Sequence, residues 1–328
     1  MEGSGMRGPW SIVLAGGEGR RLRELTTTRT GVTVPKQFCS LAGGPSLLAD
    51  TLRRARGLSV HERILVIVTE SHRDFWGDEL LELPAANVIV QPESRGTAAG
   101  ILLPLMHVLE RDPHGEVVIM PSDHHVADER VLQRAFVEAL HAVRRRPEDI
   151  ALLGMTAEHP DTQYGWIVPA GPKGAPSPEA TRRIALFVEK PPLEAAEQLL
   201  ALGALWSSFV FAARALGLFS AFGEAQPELV EAFCAGLPEL VLRPAGEGKL
   251  RALYRELEPC DFSRDVMERA TRRLCVVPVP PCGWSDLGTP DRVATVLGAG
   301  RERRAPVRAT PARSRRPVLA VALESLAH

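Results

Sequence analysis

Five short, uninterrupted apolar runs constrain this chain most: residues 12–15, 64–68, 88–90, 117–120 and 150–153. None alternates apolar with polar residues, so none offers one face to water. Strands dry on both faces belong in parallel sheets covered by helices. Helix-length segments separate them. In residues 46–56, Leu47, Leu48, Leu52 and Ala55 recur at helical spacing, residues 97–109 form a helix that Pro104 is expected to kink, and residues 129–145 form another. The expectation is an α/β fold, a Rossmann-like, mostly parallel sheet with helices on both faces. Ligands of such sheets sit beyond the carboxyl ends of the strands.

From about Tyr164 the pattern loosens. Residues 164–168, 184–188, 205–211 and 275–279 read as strands, 192–202 as an amphipathic helix, and 219–241 as helical with breaks; residues 170–178 form a Gly- and Pro-rich loop. A nucleotide-binding half over about 8–155 and an inserted sugar-binding half over about 156–298 would together make one domain, 8–298. Arg301, Arg303, Arg304 and further arginines among prolines and alanines make 299–328 read as a flexible basic tail.

The totals exclude several classes. With 45% hydrophobic and 24% charged residues, 328 residues can bury an ordinary core. A formal net charge of -1 argues against broad nucleic-acid binding. No apolar run nears the roughly 20 residues that span a bilayer, and the first ten residues lack an export signal's apolar core, so a cytoplasmic location is expected. The five cysteines include no C-x-x-C pair, which fits reduced thiols, with Cys39 a small hydrophobe.

Four motifs fall at strand ends. The first strand runs into Gly16-Gly17-Glu18-Gly19, then Arg20, Arg21 and, past a proline, Lys36. This is either a tight turn with a solvated basic face or a cradle whose backbone N–H groups hold phosphate beside cations. Walker A spacing and the G-x-G-x-x-G fingerprint both fail here. Gln91 begins Q-P-E-S-R-G-T: its amide suits a nucleobase edge and Gly96 a flat ring, or the segment is a loop with Thr97 as a helix cap. Asp123 in P-S-D-H-H and Asp286 in G-W-S-D-L-G could share a magnesium ion, or each could cap a turn. His124 and His125 have no partner at zinc-ligand spacing. Glu189-Lys190 suits sugar hydroxyls and a phosphate, or is a surface ion pair.

Read in order, L-A-G-G-E-G-R-R-L, P-K-Q-F, Q-P-E-S-R-G-T-A, P-S-D-H, Y-G-W-I, F-V-E-K-P, L-W-S-S-F-V-F, D-V-M-E and G-W-S-D-L-G resemble the sugar-phosphate nucleotidyltransferases, most closely their mannose-1-phosphate guanylyltransferase branch. The resemblance covers about residues 10–297. It implies the nucleotide-diphospho-sugar transferase fold and Mg²⁺-dependent transfer of a nucleotidyl group from GTP to mannose 1-phosphate, giving GDP-mannose and pyrophosphate, without nucleic acid or membrane, and it is compatible with a homodimer. Position by position, it implies that Leu14, Ala15, Gly16, Gly17 and Gly19 wrap the nucleotide. Gln91 and Gly96 contact the base and Thr97 also binds the nucleotide, Arg21 and Lys36 act on the phosphates, Asp123 and Asp286 hold Mg²⁺, and Gly165, Glu189, Lys190 and Ser207 hold the sugar phosphate.

Departures leave other readings open. Arg20 stands where the family has a small hydroxyl residue, and the stretch from Arg21 to Lys36 is longer than its common form. W-N-S-G-M-F reads Trp206-Ser207-Ser208-Phe209-Val210-Phe211 here. The residues after Leu297 do not read as the β-helix of longer relatives. The alternatives are another sugar 1-phosphate or triphosphate, such as glucose 1-phosphate with UTP or dTTP, and a catalytically weak sugar-nucleotide-binding regulator.

Overall fold

The computed structural model describes residues 8–40, 44–171, 181–235 and 247–302. The strands are β1 (Trp10–Ala15), β2 (Ile64–Thr69), β3 (Val88–Gln91), β4 (Glu116–Pro121), β5 (Ile150–Thr156), β6 (Gly165–Pro169), β7 (Arg182–Glu189), β8 (Leu205–Arg214) and β9 (Leu274–Val279). The principal helices are α1 (Leu47–Arg56), α2 (Gly96–Arg111), α3 (Glu129–Arg145), α4 (Leu193–Ala201), α5 (Ala215–Ala225), α6 (Pro227–Ala235), α7 (Glu247–Glu256) and α8 (Pro290–Glu302). These nine strands of the described residues join one sheet, in the order β3-β2-β1-β4-β8-β5-β9-β7-β6.

The dry strands give the parallel part: β1 pairs in parallel with β2 and β4, β2 with β3, and β5 with β9. Between β4 and β5 runs β8, antiparallel to both. Successive side chains point to opposite faces. Ile12, Val117 and Ile119 therefore pack with α2 and α5, whereas Val13, Val118 and Met120 pack with α1 and α3. Ser46 caps α1 by accepting the Ala49 N–H at 3.0 Å, and buried Arg54 ties α1 to Glu129 of α3 through two hydrogen bonds of 2.9 and 2.7 Å.

The structure refines the sequence reading at four places. The α2 helix runs through Pro104 without interruption. The helical stretch after Phe219 is two helices, broken at Gln226, and its residues 236–241 lie outside the described residues, as do 172–178 of the Gly- and Pro-rich loop. The chain stays helical to Glu302, past the expected start of the tail, whose residues 303–328 lie outside the described ones. Finally, β8 extends to Arg214 and is bulged: its register on β5 steps from Phe211 opposite Leu152 to Ser207 opposite Gly154. Ser208, Phe209 and Val210 face Leu153 alone, and Phe209 takes φ +58°. Below the bulge β8 pairs with β6, above it with β4.

Candidate active site

Because β1, β3 and β4 are parallel, their following loops emerge at the same edge of the sheet, where an open cleft of about 600 Å³ lies. Glu18, Gly19, Arg21, Leu22, Lys36, Ser94, Gly96, Asp123, Pro259, Leu287 and Gly288 line it.

The Gly-rich loop is held from behind. Gln37, buried beside Lys36, donates its amide to the carbonyls of Ala15 and Gly17 at 2.9 and 2.8 Å. Ser122, after β4, donates its hydroxyl and its N–H to the Leu14 carbonyl at 2.7 and 3.0 Å. A Cβ on Gly16 would fall 2.4 Å from the Gln91 side-chain nitrogen and 3.1 Å from Thr69 Oγ1, so any side chain there would displace the buried Gln91 amide; at Gly17 a Cβ would meet nothing. Gly19, at φ +61°, lets the loop turn against the Lys36 backbone.

The base-side candidates sit differently from their expected roles. Gln91 lies buried beneath Gly16 with its amide nitrogen donating to Thr69 Oγ1 at 3.0 Å, while its carbonyl oxygen, also buried, has no hydrogen-bond partner among the described residues. Gly96 lines the cleft at φ +84°, yet the space its missing Cβ leaves is filled by the Cys260 carbonyl, 2.2 Å from where that Cβ would stand. Close approach there is by the protein's own chain. Thr97 is not a helix cap; its hydroxyl accepts the Phe262 N–H at 2.8 Å. Both contacts fasten the start of α2 to the segment before the short helix Phe262–Met267.

Across the cleft stand the two carboxylates. Lys36 Nζ, buried, lies 2.8 Å from Asp123 and donates to the Asp286 carbonyl at 2.5 Å. The long stretch before it does not displace it: Thr27 and Thr33 bridge, Thr28 N–H meets the Val32 carbonyl at 2.8 Å and Gly31 turns at φ +82°, so the extra residues form a self-contained finger. Leu22, Leu25, Cys39 and Leu47 pack at its base with Leu287 and Val293, joining this region to α8. Asp286 Oδ1 accepts from Tyr164 Oη at 2.9 Å, the Gly288 N–H at 2.9 Å and Arg292 at 2.7 Å. Arg21, half exposed, is 3.9 Å from the other oxygen. The side chain of Arg20 lies outside the described residues.

Burial works against charge on both carboxylates. At Asp123 Lys36 and His124 outweigh it, and at Asp286 His124, Arg292 and the Gly288 N–H do, so both stay below the usual carboxylate range. Burial pushes His124 down to about 4, leaving it neutral to accept the Trp284 indole N–H at 3.3 Å. Burial and the Asp286 charge hold Tyr164 far above its normal value, so it remains a donor.

A magnesium ion fits this donor set. Among the described residues no three His, Cys, Asp or Glu side chains form a metal cluster, but Mg²⁺ is commonly held by one or two carboxylates and completes its shell with phosphate and water. Asp123 Oδ1 and Asp286 Oδ2 are the carboxylate oxygens that take no hydrogen bond from the described residues. Gly288 keeps the second one clear: a Cβ there would sit 2.4 Å from it.

The sugar-side candidates do come together. Sheet register sets Gly165 opposite Glu189 on β7 and opposite Ser207 on β8. A Cβ on Gly165 would lie 2.6 Å from the Glu189 carboxylate and 3.2 Å from Ser207 Cβ. Lys190, at φ +48°, pairs with Glu189 at 2.7 Å, and Glu268 accepts the Glu189 N–H at 2.7 Å. Burial raises the Glu189 carboxyl, Lys190 opposes this, and Asp261 and Glu268 add to it. The Lys190 N–H donates to the Tyr164 carbonyl at 3.1 Å, and Tyr164 reaches Asp286, so one residue joins the two clusters.

Sequence reasoning missed Gln37, Tyr164, Gly288 and Arg292. The first three had a signal, since each stands inside or beside a motif already read. Arg292 had none. Cys39 is a buried thiol pushed up to about 12, as a small hydrophobe should be. No helix among the described residues is long and apolar enough to cross a membrane.

A doubly covered sheet with a glycine cradle, cations and two carboxylates at one edge defines a nucleotide-handling α/β protein. Residues 10–298 match the nucleotidyl transferase family, and the chain belongs to it. The alginate biosynthesis protein AlgA of Pseudomonas syringae pv. tomato is 31% identical over 284 residues, covering 84% of this chain and 56% of the relative. The mannose-1-phosphate guanylyltransferase of Escherichia coli K12 is 30% identical over 289 residues, covering 85% and 58%. The chain thus spans little more than half the length of these relatives. A crystal structure described as a mannose-1-phosphate geranyltransferase from Thermus thermophilus superposes with TM-score 0.73 at 26% identity, covering 89% of this chain and 79% of that one. The mannose-6-phosphate isomerase of Helicobacter pylori shares the fold at TM-score 0.63 and 20% identity, covering 85% and 99%.

Proposed function

We propose that this chain transfers a guanylyl group from GTP to mannose 1-phosphate, giving GDP-mannose and pyrophosphate with Mg²⁺. A phosphate oxygen of the sugar 1-phosphate attacks the α-phosphorus, the bond from that phosphorus to the bridging oxygen breaks, and pyrophosphate leaves. The observation that carries this reading is the meeting of Lys36, Arg21, Asp123 and Asp286 around one cleft bounded by the Gly-rich loop. Transfer at phosphorus asks mainly for positioning and charge stabilisation, and these residues offer both. The likeness to relatives named for mannose 1-phosphate guides the choice of substrates.

In this reading the loop N–H groups, braced by Gln37 and Ser122, face the triphosphate. Arg21 is exposed enough to swing onto the phosphates. Lys36 sets positive charge beneath them while fixing Asp123. Asp123 and Asp286 would hold Mg²⁺, which when bound supplies charge stabilisation and in-line orientation. Glu189, Lys190 and Ser207, set around Gly165, would orient the sugar phosphate.

The test is pyrophosphate release from four nucleoside triphosphates against mannose and glucose 1-phosphates, with Mg²⁺ or with chelator. The expected result is highest turnover with GTP and mannose 1-phosphate, abolished by chelator. A different best pair would reassign the substrates, and no pyrophosphate from any pair would overturn the enzyme reading.

A further inference from the structure

We infer that Arg292, on α8, is a positioning residue that makes Asp286 present a single oxygen to a divalent cation. This rests on the reading that Asp286 holds such an ion. Arg292 sends one guanidinium nitrogen to Asp286 Oδ1 at 2.7 Å and the other to Asp161, and its plane lies over the Tyr164 ring at 4.1 Å. Its side chain is 16% exposed, so these contacts are shielded from competing water.

The three contacts fix the arginine completely. A guanidinium held at both nitrogens and across its face has almost no freedom left, and its rigid plane ties Asp286 Oδ1 to a fixed position relative to Asp161. Tyr164 and the Gly288 N–H converge on the same Oδ1. With three donors on one oxygen, rotation of the carboxylate would break all three bonds at once. The other oxygen is left for the cleft, beside Arg21 at 3.9 Å. Lysine could supply the charge but not the fork. Arg292 thus converts a carboxylate that could bind an ion through two oxygens into one that uses one, leaving the remaining positions to phosphate and water.

The test uses the full chain and Mn²⁺ alone as probe, followed by electron paramagnetic resonance of free Mn²⁺, with Asp286→Asn as the control for the underlying reading. Arg292→Ala should weaken Mn²⁺ binding about 10- to 100-fold, the range typical of residues that orient a metal's ligands. Arg292→Lys should recover only part of this, and added guanidinium ion should restore binding to the alanine variant but not to Asp286→Asn. Asp161→Asn, which loosens Arg292 without touching Asp286, should give a smaller loss in the same direction. In turnover assays the half-saturating metal concentration of Arg292→Ala should rise by the same factor, while the nucleotide KM at saturating metal stays unchanged. If Asp286→Asn loses Mn²⁺ and Arg292→Ala binds it as wild type does, the role assigned to Arg292 is wrong. If wild type does not bind Mn²⁺, or Asp286→Asn binds it unchanged, the carboxylate reading falls, and this inference with it.

Discussion

Gln37 offers the sharpest test of how the Gly-rich loop is held. Its side-chain nitrogen satisfies the carbonyls of Ala15 and Gly17, and the residue is 2% exposed, so water cannot replace it. Gln37→Leu keeps the volume and leaves both acceptors orphaned. At about 1–3 kcal/mol for each buried polar group stripped of its partner, and allowing for relaxation of the loop, the variant should lose about 2–4 kcal/mol of folding stability. Gln37→Glu is nearly isosteric and sharper still, because it sets a carboxylate oxygen against two carbonyls. That carboxyl would have a folded pKa above its unfolded value. Its destabilisation should therefore be largest at neutral pH and shrink as pH falls and the protonated acid regains one donor. Urea unfolding at several pH values measures both effects, and triphosphate KM should rise more than sugar-phosphate KM. A Gln37→Leu protein within about 0.5 kcal/mol of wild type, the range of an ordinary surface substitution, would refute the bracing role.

Three further outcomes are expected. Asp123→Asn should cut turnover by several orders of magnitude, since metal-held charge supplies several kcal/mol in phosphoryl chemistry; melting should barely move, because Lys36 keeps its carbonyl partner on Asp286. Near-normal turnover would return Asp123 to a structural cap. At Phe209, where φ is +58°, glycine should give a more stable protein than alanine by about 1 kcal/mol, because both lose the ring and only alanine keeps the left-handed strain; the reverse order in thermal melts would deny that strain. Burial, with Arg111 adding, lowers His107 to about 4. Its unfolded form takes up a proton near pH 6.5, so stability should fall as pH drops from about 6.5 toward 4. His107→Leu should flatten that slope, and parallel pH curves for the two proteins would rule the contribution out.

What could be read from sequence was what local chemistry dictates. Unalternating apolar runs have one compatible environment, so β1 to β5 and the helices between them were legible. The motifs after β1, β3 and β4 followed, because parallel strands send their loops to one edge, whereas Glu189 ends the antiparallel β7 and is placed by its register on β6. What could not be read was side-chain reach across the sheet. Gln91 looked like a base reader and lies under Gly16; Gly96 looked like room for a ring and is filled by Cys260; Thr97 looked like a cap and ties down Phe262. In each case the residue type was right for a close contact, but the contact is made by a segment more than 20 residues away or by a neighbouring strand. No spacing rule encodes such partners.

The β8 strand shows why the Gly165, Glu189 and Ser207 cluster was harder to read than the Gly-rich loop. Its residues 205–211 look like one plain apolar strand, yet its course decides where Ser207 stands. Below the bulge the strand edge serves β6, which brings Gly165 and through it Glu189; above, the same edge serves β4, which leads to Asp123. Ser208 closes the bulge by donating to the Leu153 carbonyl at 2.7 Å and accepting the Val210 N–H at 3.2 Å. Phe209 turns there with positive φ and packs its ring on Phe211 and Phe262 at centroid distances of 6.4 and 6.0 Å. Glycine would take that turn more easily, but it could not reach Phe262, whose helix precedes Glu268 on the Glu189 backbone. The strain at Phe209 is thus offset by aromatic packing that couples the bulge to the segment holding the Glu189 backbone. The departure from the family's glycine reads as a change in how the Gly165, Glu189 and Ser207 cluster is braced.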